Sequence, residues 1–411
     1  MTKYIHTSQS EIIKNPGKEF DVENRFWQGC PTIARTRKGR LYAGWYTGGC
    51  QEPSLFNYNL LVRSDDEGLN WSKPILVLNS VPQELLQSLD IQLWIDPAGR
   101  LWVFYTQRNY NYLPQSNPAH LNLWAIRCDD PDADELQWCD PFFIGCGFLR
   151  CQPTVLSDGR IFLPAYDWTD EKYQYFVSRD NGETFERCFA GKKVPTHFDE
   201  VMFLERQDRS ILLFARTNTG FLGKCESFDG GKSWTDGENT DIPNPSSRFC
   251  LMRLKSGRVL LINQMDSKKR TAMTALLSED DGKTFPYALL LDNGENNSYP
   301  DAVQSEDGTI YLIWDRGRLS AREIVCARIT EDDILAGKIV DDGSYCYNIV
   351  SKAFLPAKRK NEEPLRSFTE AERSFISCFI AEVYRDDGVV ENLRAAVERS
   401  LQAAKTLFTG Q

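Results

Sequence analysis

The sequence predicts an all-β protein: a six-bladed β-propeller, with a short helical extension at its C-terminal end. Three observations carry this expectation. A short turn followed by an apolar run recurs six times, as in Lys38-Gly39-Arg40-Leu41-Tyr42, Ala98-Gly99-Arg100-Leu101-Trp102 and Asp158-Gly159-Arg160-Ile161-Phe162, with its turn position at 39, 99, 159, 209, 257 and 308. A period of about fifty residues points to radially arranged β units. Interleaved with it is Ser-x-Asp-x-Gly-x-x-aromatic, at Ser64/Asp66/Gly68/Trp71, Ser178/Asp180/Gly182/Phe185, Ser227/Asp229/Gly231/Trp234 and Ser278/Asp280/Gly282/Phe285, with a decayed copy from Cys128 and Asp130 to Trp138. Finally, 411 residues at 41% hydrophobic content can fill one large closed ring of repeats.

Each repeat parses as four strands. In the first, residues 31–35 form the inner strand, 41–45 the next, 59–63 the third, and an outer strand lies near 75–77. Later inner strands are expected at 91–95, 153–156, 201–204, 250–254 and 302–304. In the second repeat the Asp accepts bonds from its own loop, the Gly supplies a positive φ, and the aromatic plugs the blade. Closure calls for a partner strand in one blade, from either residues 3–13 or residues 346–350. Thr330 to Asp333 caps a short helix ending near Gly337. The propeller is expected over residues 1–350. Residues 351–411 read as a helical hairpin, opening on the capping box Thr369-Glu370-Ala371-Glu372. That hairpin either packs on the propeller or serves homo-oligomerisation.

Composition excludes several function classes. A net charge of −10 argues against a nucleic-acid partner, since nothing supplies a phosphate-binding stripe. No segment is apolar and long enough to span a bilayer, and residues 1–28 lack the apolar core of a secretory signal, so no membrane partner and a cytoplasmic location are expected. Twelve cysteines without CxxC spacing read as buried thiols. With only His6, His120 and His197, neither a zinc site nor a Ser-His-Asp triad is expected. No metal and no cofactor are expected.

If the six inner turns lie at one end of the ring, the chemistry gathers at the other. Strand starts there offer Gln28, Asp90, Arg150, Asp199, Glu200, Arg248, Tyr299 and Asp301. Strand ends offer Tyr46, Gln107, Arg108, Asp167, Arg216, Gln264, Asp315 and Arg316. Such a concentration of carboxylates and arginines, with one tyrosine, suits sugar binding or catalysis.

The Asp-box repeats, a Glu on blade four, arginines on blades four and five and a tyrosine opening blade six resemble the sialidase (neuraminidase) superfamily over residues 20–345. More narrowly, Arg25-Phe26-Trp27-Gln28-Gly29-Cys30-Pro31, Phe198-Asp199-Glu200, Ser246-Ser247-Arg248-Phe249 and Ser298-Tyr299-Pro300-Asp301 resemble sialidase-like, BNR-repeat glycosidases of bacteria. The resemblance implies a hydrolase acting at the end of a glycan on a terminal acidic sugar such as sialic acid. It implies Tyr299 as nucleophile and Glu200 as its base, since a phenol needs a base to attack at neutral pH. Their ordinary alternatives are a tyrosine supporting a loop and a salt-bridge partner for Arg216. The resemblance assigns Arg216 and Arg248 to a carboxylate-binding triad, where arginine's planar fork fits.

The first arginine of that triad is absent: Gln28-Gly29-Cys30-Pro31 stands there, with Arg25 or Arg150 as possible substitutes. The acid is either Glu52 or Asp90. Asp315 stands where the superfamily has a Glu, and Asp199 and Asp301 complete the expected sugar-binding set with Gln28. These departures leave open another glycosidase or a lyase acting on uronic-acid glycans, with Glu200 and Asp301 or Asp90 as the working pair, or a carbohydrate-binding propeller without catalysis.

Overall fold

A computed structural model describes residues 9–49, 52, 54–111 and 120–353. Six antiparallel sheets follow one another along the chain, each with four strands in sequence order, and the first carries an added strand at its outer edge. This is the six-bladed β-propeller that the repeats predict. Blade one runs Gln28–Arg35, Leu41–Thr47, Tyr58–Ser64, Leu76–Asn79 from the axis outward. The inner strands of blades two to six are Leu86–Ile95, Thr154–Val155, Val201–Glu205, Cys250–Arg253 and Asn297–Gln304. Several begin earlier than their apolar cores, because the polar residues before each core also pair.

Both candidate closing segments are used, one as an extra strand and one to complete a blade. Glu11–Ile13 adds a fifth strand outside blade one, pairing Ile12 with Leu78. Tyr345–Lys352 is the fourth strand of blade six, next to Glu323–Ile329. Every blade is therefore complete within its own stretch of chain. Side chains close the ring. Gln28 Nε2 donates to the carbonyls of Arg322 (2.6 Å) and Ser351 (3.0 Å), and Ser351 Oγ donates back to Gln28 Oε1 (3.1 Å). The helical hairpin and dimerisation surface expected after residue 350 lie outside the described residues.

The cores lie between blades rather than within them. One cluster joins blades six and one through Trp45, Tyr311 and Ile313, and another joins blades two and three through Trp102, Leu163 and Phe176. The Asp-box aromatics pack into these seams: Trp71 in the first and Phe185 in the second, with Trp234 and Phe285 in the next two. Trp138 of the decayed copy does the same between blades one and two. Blade six has no Asp box; in its place Thr330 caps the helix Glu331–Ala336 with a full capping box, and Ile334 fills the last seam.

The box works as its residue types dictate. Ser64 Oγ donates to Asp66 Oδ1 (2.7 Å), Gly68 N donates to Ser64 Oγ (2.9 Å), and Asn70 N donates to Asp66 Oδ1 (2.9 Å). Gly68 sits at φ 86°, where a Cβ is disfavoured.

Asp301 and Arg248 bind the blades together at the axis. Asp301 Oδ2 accepts from Thr32 Oγ1 (2.7 Å), Ile33 N (3.2 Å) and Gln92 Nε2 (3.1 Å), and Oδ1 accepts from Gln152 Nε2 (3.1 Å). Arg248 donates to the carbonyls of Pro31, Tyr299 and Pro300 at 2.9–3.0 Å, and also to that of Arg150.

Candidate active site

The inner strands of blades one, two and six each slip register at the same place, between Gly29 and Thr32, Leu89 and Gln92, and Ser298 and Asp301. At the slips Cys30, Asp90 and Tyr299 share φ 55°. Non-glycine residues adopt this conformation at a cost of about 1 kcal/mol or more, repaid only where the surroundings fix it. At Cys30 and Tyr299 the Arg248 bonds to Pro31, Tyr299 and Pro300 do so.

Tyr299 stands at the centre. Its Oη donates to Glu200 Oε1 (2.8 Å) and accepts from Arg150 Nη1 (2.7 Å) and Arg216 Nη1 (3.0 Å). The same Arg216 nitrogen donates to Glu200 Oε2 (2.9 Å). Arg318, Arg150, Arg248 and Arg270 surround the ring, their guanidinium carbons 4.5, 5.2, 5.2 and 5.7 Å from its centroid. Burial pushes the phenol up to about 12, against the pull of Arg150 and Arg216. Burial alone would raise Glu200 too, but Arg216 and Arg150 bring its carboxyl below the ordinary range. The pair is therefore a protonated phenol hydrogen-bonded to a carboxylate at neutral pH.

Glu52 and Asp90 join the cluster through Arg150, whose Nη2 lies 3.0 Å from Glu52 Oε1 and 2.7 Å from Asp90 Oδ1. The Asp90 contact is an ion pair rather than an aligned hydrogen bond. Burial raises the Asp90 carboxyl to about 6, with Arg150 opposing. Glu52 keeps 23% of its side chain exposed while that of Asp90 has none. Cys30 Sγ and the Glu52 and Asp90 carboxylates lie within 4.8 Å of one another, a spacing a cation can use. Two guanidiniums already lie against this set, Arg150 on both carboxyl groups and Arg318 on Glu52 (3.0 Å), a cationic setting that disfavours a metal ion.

The structure thus brings Tyr299, Glu200, Arg216, Glu52 and Asp90 together. It gives the rest of the expected sugar-binding set other partners. Arg248 is buried among backbone carbonyls, Asp301 lies on the axis, and Gln28 closes the ring. Arg25 donates to Ser351 Oγ (3.4 Å) and lies over the Trp45 ring. Asp199 is buried against Lys193 Nζ (2.7 Å), its carboxyl raised by burial to about 6. Asp315 is a support: Oδ1 accepts from Ser298 Oγ (2.7 Å), and Oδ2 accepts from Cys30 N (2.9 Å) and Arg318 Nη2 (2.8 Å).

Sequence reasoning missed Arg318 and Arg270, which sit in loops beyond strand ends and carry no periodic signal. Arg318 crosses from blade six to blade one beside Gly29, where a Cβ would lie 2.7 Å from its Nε. The arginine missing before Pro31 is thus matched by one arriving from another blade, and the glycine makes room for it. Arg270 donates to the Ser246 carbonyl (2.8 Å) and has no carboxylate partner among the described residues. Burial lowers its pKa, as do its neighbours Arg318 and Arg216. A signal for Arg150 did exist: Cys30, Asp90, Arg150, Glu200, Arg248 and Tyr299 each stand nine residues before a turn position of the first repeat. They occupy one repeat position in six blades.

Residues 39–312 match the BNR repeat-like domain family. The chain belongs to that family. Among curated proteins, this BNR-repeat chain is 21% identical over 207 residues to the anhydrosialidase of the leech Macrobdella decora, a match that spans 44% of the chain and 27% of the leech protein. Solved structures share its fold. A leech intramolecular trans-sialidase aligns at TM-score 0.65 and 13% identity over 81% of this chain and 71% of its own. A Streptococcus pneumoniae sialidase aligns at 0.62 and 14%, over 80% and 71%. A Dyadobacter fermentans protein of unknown function aligns at 0.59 and 17%, over 75% and 94%. Motifs, family and fold agree on the sialidase-like BNR-repeat superfamily.

Proposed function

We propose that this chain is a glycoside hydrolase that removes a terminal acidic sugar of the sialic acid type, with Tyr299 as nucleophile and Glu200 as its base. One observation carries this: the Tyr299 hydroxyl donates to Glu200 and accepts from two guanidiniums. That geometry takes the proton from a phenol and holds the resulting oxyanion. A neutral nucleophile also avoids repelling an anionic substrate.

Arg216, Arg270 and Arg318 offer that anion a cationic wall, and Arg270 has a guanidinium free to form new ion pairs. Glu52 is the acid in this scheme, because part of its side chain is exposed while that of Asp90 is wholly buried. In the leech and pneumococcal structures the protein is described as a trans-sialidase and a sialidase, which supports a sugar of that class.

A panel of aryl glycosides, including sialosides and uronides, tests the proposal. Release of the aryl group from the sialoside supports it; turnover of uronides alone moves the substrate to that class. A second reading, binding without catalysis, draws on the 2% exposure of Tyr299. Binding across the panel without turnover of any member would establish it.

A further inference from the structure

We infer that Arg150 is a further catalytic residue, which holds the departing oxygen of Tyr299 and ties it to the Glu52 carboxylate. The inference rests on Tyr299 and Glu52 acting as proposed above. One guanidinium makes both contacts: Nη1 donates to Tyr299 Oη at 2.7 Å and Nη2 to Glu52 Oε1 at 3.0 Å. Nη2 also pairs with Asp90 (2.7 Å), and Nη1 lies 3.6 Å from Glu200 Oε1. Arg216 also reaches the phenol, but its carboxylate partner is Glu200, the base. Arg318 also pairs with Glu52 (3.0 Å) but meets Tyr299 at its ring face; among the described residues, only Arg150 hydrogen-bonds both the Tyr299 hydroxyl and Glu52. A lysine would present one nitrogen where two are used.

The consequence follows from the two steps. In the first, the Tyr299 proton passes to Glu200 Oε1 and Oη bonds to the anomeric carbon. The bond from that carbon to the leaving oxygen breaks, and Glu52 gives that oxygen its proton. In the second, water attacks the same carbon and yields a proton to Glu52. The bond to Oη breaks, its electron pair stays on Oη, and Glu200 returns the proton. An aryl ether oxygen is a weak acceptor and a developing phenoxide a strong one. The Arg150 bond is therefore stronger in the second transition state than in the glycosyl-enzyme before it, and such a difference accelerates a step. Asp90 keeps the guanidinium in place while Tyr299 is glycosylated.

Two measurements test this, one of them independent of turnover. With an aryl sialoside, Arg150→Gln is expected to lower kcat by about 100-fold. KM should fall with it, and intact-mass analysis of quenched samples should show a sugar adduct that Tyr299→Phe removes. Separately, 3,5-difluorotyrosine placed at position 299 gives a phenol more acidic than tyrosine, whose titration absorbance follows. Arg150→Gln should raise its midpoint by about one unit or more, tenfold in the acid constant. An unshifted midpoint, or wild-type kcat in Arg150→Gln, overturns the inference. If the wild type turns over no glycoside, the proposed function fails, yet the titration still decides whether Arg150 holds the oxyanion. Should Arg150→Gln not fold, Arg150→Lys decides: a smaller loss of kcat with an adduct supports the role, and native kinetics refute it.

Discussion

Tyr299 and Glu200 show how burial and charge divide labour between two groups in contact. Both are almost fully buried, yet burial dominates for the phenol, held up at about 12, while the arginines dominate for the carboxylate. Tyr299→Phe and Glu200→Gln should each lower kcat by about 10²–10⁴-fold, with circular dichroism and unfolding unchanged for the phenylalanine variant. Asp199 offers a pH test on stability. Its folded carboxyl titrates at about 6, above the unfolded value of about 3.9, so the folded state binds more protons between those values. Its contribution is present below about 3.9 and is lost as pH rises towards 6. Denaturant unfolding of the wild type should therefore show a falling contribution across that window that Asp199→Asn lacks. An identical pH dependence in both would show that Lys193 already compensates the charge.

Blades differ in how they end, and the alternatives are physically equivalent. Four blades turn on an Asp box, in which one carboxylate gathers loop amides and an aromatic is delivered to the seam. In blade six a capped helix delivers Ile334 to the same kind of seam. Thr330 Oγ1 accepts from Asp333 N at 3.3 Å, and Asp333 Oδ2 accepts from Thr330 N at 2.8 Å. Thr330→Ala should cost about 1 kcal/mol in equilibrium unfolding, and Thr330→Ser much less. The turns were legible in the sequence because their chemistry is local: a Ser, an Asp, a Gly and an aromatic within eight residues suffice. The roles of Gln28 and Arg25 were not, since their partners Arg322 and Ser351 lie about 300 residues away in the chain.

At the scale of the whole molecule, ring closure and the candidate active site share an axis. Asp301 accepts from Thr32 and Ile33 of blade one, Gln92 of blade two and Gln152 of blade three. Its neighbour two residues back is Tyr299, so a defect in closure should reach the proposed nucleophile. Asp301→Ala leaves those buried donors unpaired and should destabilise the protein by about 3 kcal/mol. Calorimetry should show the loss as an earlier, still single transition. Two separated transitions would mean that the blades unfold independently.

Fold and blade number were fixed by periodicity, because each repeat encodes its own turns, strands and seam aromatics locally. The sixfold repeat position that gathers Tyr299, Glu200, Arg150 and Asp90 was present in the same spacing, nine residues before each turn. Tertiary structure alone decided which arginines line the candidate site. Arg248 turned inward to backbone carbonyls, while Arg318 and Arg270 came in from loops. The physical reason is that a guanidinium reaches several ångströms in any direction from its Cα. Its partner is chosen by the space that neighbouring blades leave open, such as the gap beside Gly29, and not by its place along the chain.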